Sequence, residues 1–75
     1  MNLYLLQRIG AVDYDEAVAF VIRAMSPKAA REVAAEATET EGANVWTDPR
    51  YSTVELLASH VKGAAGVVLK SESGA

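Results

Sequence analysis

The sequence contains no cysteine, and this absence removes two ways in which a chain of 75 residues could be stabilised. Without cysteine the chain has no disulfide framework and no metal site built from thiolates. No window approaches the run of about 18 apolar residues that suggests a transmembrane helix. The first residues, Met1 to Tyr4, also lack the basic segment that opens a signal peptide. We therefore expect a cytoplasmic protein with no membrane partner.

The sequence also lacks a net positive charge. It has ten acidic residues and seven basic ones, and its formal net charge is −3. A nucleic-acid-binding domain usually carries a basic patch. Trp46, Arg50 and Tyr51 resemble a minimal surface for stacking bases. The acidic residues Glu39, Glu41 and Asp48 near them would repel a phosphate backbone, so we expect no direct contact with nucleic acid.

Catalytic motifs are the third absence. His60 is the only histidine, and no Ser-His-Asp order, nucleophile elbow or HExxH motif accompanies it. The segment GAAG at 63–66 lacks the Lys-Ser/Thr pair of a phosphate-binding loop, and DYDE at 13–16 lacks the later glycine and glutamate of a calcium loop. We predict no catalytic residues, no metal site and no cofactor, and hence a protein that is not an enzyme.

Four segments have the composition of short strands. Large apolar, aromatic and β-branched residues are concentrated there, between clusters of turn-forming residues. We predict strands over residues 3–9, 18–24, 53–59 and 67–71.

One segment is typical of a helix. Ser26 can cap it and Pro27 suits its first turn, and KAAREVAAEATE follows, with Gly42 as a plausible C-cap. Its small inner face consists of Ala30, Val33, Ala34 and Ala37. Its solvent side consists of Lys28, Arg31, Glu32, Glu36 and Glu39.

These elements predict one α+β domain over residues 1–75, in the order β-β-α-β-β, with a frayed tail at 72–75. The helix covers one face of a four-stranded sheet, and the second and third strands run parallel. The other face presents Ala19, Val21 and Leu57, together with Leu3 and Leu5 or with Tyr4 and Leu6. An apolar patch of this kind is often an interface, and a homodimer through this face or through an edge strand is the simplest way to cover it. The alternative is that these are ordinary surface residues.

The only tryptophan lies in a stretch that otherwise reads as loop, around the turn predicted at Asp48-Pro49. One interpretation places Trp46 and Tyr51 in the core, where the helix exit returns to the third strand. The other makes Trp46, Arg50 and Tyr51 an interface hot spot, because these residue types are enriched there.

Most of the acidic residues form two groups. Glu32, Glu36, Glu39 and Glu41 lie on the helix and its exit, and Asp13, Asp15 and Glu16 lie between the first two strands. If both groups point the same way, they form an acidic surface suited to a basic groove on a protein that normally holds nucleic acid. The alternative is an ordinary solvated surface.

Nearly the whole chain resembles a group of short bacteriophage proteins. The matching elements are the opening strand, YDEA, the Ser-Pro-x-x-Ala-Arg start of the helix, VWTDP and the closing GVVL. The resemblance implies that the protein has a phage or prophage origin and acts in the cytosol of a bacterial host. It implies no catalytic residues. Small acidic viral proteins of this kind are often inhibitors of host machinery, including anti-CRISPR proteins.

The sequence thus favours an inhibitor that binds a host protein complex which handles nucleic acid, such as a CRISPR effector. The alternative is a self-associating structural or accessory module of the phage. The predicted partner-binding residues are Asp13, Asp15, Glu16, Glu32, Glu36, Glu39, Trp46, Arg50 and Tyr51.

Overall fold

The computed structural model describes residues 1–10, 16–38 and 44–72. Its elements are β1 (Asn2–Arg8), β2 (Ala17–Ala24), α1 (Pro27–Ala37), β3 (Ser52–Ala58) and β4 (Gly66–Glu72). The four strands form one sheet, and α1 packs on one face of it. The predicted α+β fold, with its β-β-α-β-β order, is confirmed.

The strands are arranged in the order β3-β1-β2-β4, and every neighbouring pair is antiparallel. Because β1 is antiparallel to both β2 and β3, those two strands run in the same direction, as predicted. They are not neighbours, however, since β1 lies between them. The end of β1, the start of β2 and the start of β3 therefore share one end of the sheet, the hairpin end. The opposite end is the loop end.

The core lies between α1 and the sheet. Tyr4 pairs with Ile22 and Leu6 with Phe20 across β1 and β2, and all four side chains are buried. The helix contributes mainly small residues, so that its backbone can lie close to the strands. The complete set of buried apolar residues is Tyr4, Leu6, Ala17, Phe20, Ile22, Ala24, Ala30, Ala34 and Trp46.

The start of α1 is the predicted one, because the Ser26 hydroxyl accepts a hydrogen bond of 3.1 Å from the backbone N–H of Ala29. Its end is not. The helix stops at Ala37 with Thr38 as C-cap, and the Thr38 hydroxyl donates to the carbonyl of Ala34 at 2.8 Å. Gly42, the predicted cap, lies outside the described residues.

Two further expectations are wrong in detail. Ala37, predicted on the inner face of the helix, is exposed, because the helix ends there. Glu72, predicted in the frayed tail, belongs to β4, where it pairs with Ala17. Residues 73–75 lie outside the described part of the chain. No helix in the described ranges is long and apolar enough to cross a membrane.

Candidate functional site

The outer side of α1 carries two exposed acids, Glu32 and Glu36. They are four residues apart and so lie one above the other, where like charges repel by about 0.2–0.5 kcal/mol. The first turn has no acidic residue and the last turn no basic residue. Lys28 and Glu36 instead occupy the first and last turns, the reverse of what the helix dipole favours. Lys28 lies four residues before Glu32, and this pair of opposite charges offsets part of the repulsion, but the position of Glu36 in the last turn remains unfavourable for the helix.

Of the acidic group between β1 and β2, Glu16 is described by the structure, whereas Asp13 and Asp15 lie outside the described residues. Glu39, from the helix group, also lies outside them. Glu16 Oε1 is 3.7 Å from Arg8 Nη1, and the two side chains are 22% and 12% exposed. Glu16 is thus half-buried and already paired with a cation. It is a weaker candidate for binding a partner than the helix acids.

Of the described acidic residues, Glu16 and Glu36 lie toward one end of the molecule. Helix α1 begins beyond Ala24 at the loop end, and the chain re-enters the sheet at Ser52, which pairs with Arg8 at the hairpin end. Glu36, in the last turn of the helix, therefore lies toward the same end as Glu16. Glu32 lies one turn farther from it.

Trp46 belongs to the core and not to an interface. Its side chain is fully buried, and its ring meets that of Phe20 edge to face, with centroids 5.0 Å apart and planes at 79°. Such aromatic pairs add about 0.5–1.5 kcal/mol beyond the area they bury. Its indole Nε1 is buried without a hydrogen-bond partner. The prediction that Trp46 contacts a partner is corrected, because the ring has no surface to offer one.

Arg31 holds the Trp46 loop in place. Its guanidinium donates to the Trp46 carbonyl at 3.0 Å, to the Ser52 hydroxyl at 2.9 Å and to the Ser52 carbonyl at 3.0 Å. It joins the helix to the start of β3. Arg31, predicted on the solvent side of the helix, is half-buried. Its position beside Ala30, at the margin of the apolar face of the helix, was the one available signal.

The predicted turn at Asp48-Pro49 is confirmed, since the Tyr51 N–H donates to the Asp48 carbonyl at 3.0 Å. The Asp48 carboxylate accepts from the Arg50 backbone N–H at 2.8 Å and from its Nη2 at 2.8 Å. These hydrogen bonds from Arg50 lower the pKa of Asp48, and the same pairing raises the pKa of Arg50.

Arg50 and Tyr51 form an exposed pair on this turn. The guanidinium carbon of Arg50 lies 5.5 Å from the centre of the Tyr51 ring, which is within cation–π range. Arg50 is 78% exposed as a side chain, and Tyr51 is 46% exposed. Unlike Trp46, both present surface that a partner could touch. Asp48 neutralises the arginine, so the pair adds little net charge.

His60 is exposed at the loop end, in a left-handed conformation with φ of 58°. Among the described residues, no group of three or more histidine, aspartate or glutamate side chains is placed to hold a metal ion.

The sheet face opposite α1 carries no covering element among the described residues. The strand registers place the following residues on this open face: Leu3, Leu5, Gln7, Ala19, Val21, Arg23, Thr53, Glu55, Ala58, Gly66, Leu69 and Ser71. Of the two pairs of β1 residues predicted as alternatives for this face, Leu3 and Leu5 occupy it, whereas Tyr4 and Leu6 are buried on the other side. Leu57 is the extra residue of a bulge in β3 and is 45% exposed.

Comparison with known proteins finds no matching family model, no similar curated protein and no similar solved structure.

Proposed function

We propose that this chain is a non-enzymatic binding protein which blocks a host complex that handles nucleic acid, through the acidic outer side of α1. The observation that carries the proposal is the placement of Glu32 and Glu36. Their mutual repulsion and the position of Glu36 in the last turn both lower helix stability. A feature that breaks a local rule of stability is expected where function requires it.

The chemistry of the surface indicates the class of target. Neither Glu32 nor Glu36 forms an ion pair with another described residue, so their charge remains available to a partner. A groove that normally binds nucleic acid is basic, and complementary charge speeds association and excludes wrong partners. The acidic helix would occupy such a groove in place of a phosphate backbone.

A phage or prophage origin, with action in the cytoplasm of a bacterial host, rests on the resemblance of YDEA, VWTDP and GVVL to short phage proteins. An anti-CRISPR or other host-takeover inhibitor fits both this resemblance and the acidic helix. A CRISPR effector is accordingly the first target to examine.

The test is capture from a bacterial lysate treated with nuclease, so that nucleic acid cannot bridge proteins. Wild-type protein is compared with the double variant Glu32→Lys/Glu36→Lys. The matched control is Glu72→Lys with Ser59→Lys and Ala65→Lys, which raises the net charge by the same amount at exposed positions outside both α1 and the open face. We expect the wild type and the control to recover a nucleic-acid-binding complex and the helix variant to lose it.

The captured complex is then tested for nucleic-acid binding with each variant added. Inhibition that survives reversal of both helix charges would show that the acidic side of α1 is not the contact surface. Equal loss with the control would show that total charge, and not this surface, governs the interaction.

A self-associating phage module is the second candidate function. It is favoured by a different observation, the uncovered apolar face of the sheet.

A further inference from the structure

We infer that the open face of the sheet binds a second copy of this chain, so that two sheets pack face to face between two outer helices. The first argument is the pattern of β2. Residues 17–22, Ala-Val-Ala-Phe-Val-Ile, are continuously apolar, which is typical of strands buried on both faces. In the single chain, α1 covers only one of those faces.

The surface left open is apolar at its centre. Leu5, Ala19 and Val21 remain partly exposed, and Leu69 beside them on β4 is 63% exposed. Together with Ser71, these residues line a shallow depression of about 80 Å³. This is far below the roughly 300–1,000 Å³ of a small-molecule site, so the occupant is a flat surface and not a small ligand.

The area available suits a weak dimer. Four strands about 4.8 Å apart, with about seven residues that each rise about 3.3 Å, give a face of roughly 19 by 23 Å, or about 440 Å². Two copies would bury about 900 Å² of planar area in total, and the uneven surface of the side chains would increase this figure. The buried area is therefore close to the lower limit of about 1,000 Å² for a specific interface. We therefore expect a dissociation constant in the micromolar range.

The charges on the face also suit a second copy. Among the described residues, the registers place only two charged side chains there, Glu55 on β3 and Arg23 on β2. They have opposite signs and lie on opposite sides of the apolar centre. If the two-fold axis runs along the strands, Glu55 of one copy lies over the half of its partner that carries Arg23. The same patch therefore complements itself, as a two-fold interface requires.

Pairing of edge strands is the less favoured way to dimerise. Both edges depart from regular pairing with their neighbours, at Leu3/Tyr4 on the β3 side and at Val21/Ile22 on the β4 side. Bulges of this kind twist an edge away from a partner strand, and Lys70 adds a charge to β4.

This inference goes beyond the proposed function and does not depend on it, because the open face and the acidic helix lie on opposite sides of the sheet. Each copy in the dimer would still present Glu32 and Glu36 outward. Loss of target capture and loss of dimerisation are consequently separate outcomes.

The test is sedimentation velocity over a concentration series from about 5 to about 500 µM, which spans a micromolar dissociation constant. Two variants are matched in chemistry, and both lie on edge strands. Leu69→Glu lies on the open face, whereas Leu56→Glu lies on the helix side of β3, where Leu56 is 56% exposed. We expect the wild type and Leu56→Glu to dimerise with similar affinity, and Leu69→Glu to lose at least about tenfold in affinity, the equivalent of about 1.4 kcal/mol.

Circular dichroism of each variant establishes that it is folded, and Val21→Thr, which conserves shape, provides a second test on the same face. A wild type that stays monomeric at the highest concentration would overturn the inference. So would a dimer that survives both Leu69→Glu and Val21→Thr but is lost on substituting Val68→Pro, since that pattern indicates pairing through the β4 edge.

Discussion

The two faces of one sheet are built from the same two central strands but differ in what covers them. On the covered face, Leu6 and Ile22 are fully buried beneath α1 and Trp46. On the open face, their neighbours Leu5 and Val21 are also apolar but remain partly exposed. The difference shows that apolar character alone did not decide burial here. The position of one helix and one loop decided it.

The covered face depends most on Trp46, and replacing it should give the largest effect. Trp46→Ala removes the ring that packs on Phe20, and we expect it to lower the free energy of unfolding by about 3–5 kcal/mol. Urea denaturation followed by circular dichroism measures this loss. Trp46→Phe is the control, and it should cost less than half as much because the lost indole N–H has no partner. Similar losses for the two variants would contradict this description of the core.

Two adjacent residues of β2 compare the faces directly. Ile22→Ala should lower the free energy of unfolding by about 2–4 kcal/mol, because it leaves a cavity in the core. Val21→Ala should cost less than about 1 kcal/mol in dilute solution, where the open face is in contact with water. At high protein concentration the cost of Val21→Ala should increase, since a dimer stabilises the folded state by mass action. Equal costs at low concentration would mean that the two faces do not differ as described.

The join between helix and sheet provides an intermediate effect. Arg31→Met retains much of the side-chain volume but leaves the buried Ser52 hydroxyl without its donor. We expect a loss of about 2 kcal/mol in a thermal or urea melt. Arg31→Lys should recover only part of it, because an ammonium group cannot reproduce the planar fork that reaches three acceptors. Full recovery with lysine would show that charge alone matters there.

The smallest effect concerns the exposed turn. Because hydrogen bonds from Arg50 lower the pKa of Asp48, the ionised carboxylate is favoured in the folded state. Its contribution to stability is therefore present above the unfolded pKa and is lost as the pH falls through the lower, folded pKa. In Arg50→Gln, the pKa of Asp48, measured by NMR titration of its carboxyl carbon, should rise toward its ordinary value. An unchanged pKa would show that the pair does not persist in solution.

Local signals made much of the fold predictable. The Ser26-Pro27 pair set the start of α1, because a hydroxyl cap and a proline act within one turn of chain. The Asp48-Pro49 turn was predictable for the same reason. The end of α1 was not, since the hydroxyl of Thr38 bonds the carbonyl of Ala34, and a threonine inside a continuing helix can make the same hydrogen bond.

The candidate site divides in the same way. Glu32 and Glu36 were placed correctly on the outer side of the helix, since their spacing relative to Ala30 and Ala34 fixes the face they occupy. Arg31 was misplaced because its partners, Trp46 and Ser52, are distant in sequence. Trp46 itself was left between two interpretations, since only the approach of Phe20 distinguishes a core aromatic from an exposed one.

The sequence by itself determined the five elements, their order and the outward position of Glu32 and Glu36, because each depends on residues within a few positions of one another. Only the tertiary structure decided that β1 lies between β2 and β3, that Trp46 is buried, and that Leu5 and Val21 lie on the uncovered side. Those outcomes depend on which distant surfaces meet, and an apolar strand residue has the same local preferences whether or not a helix covers it.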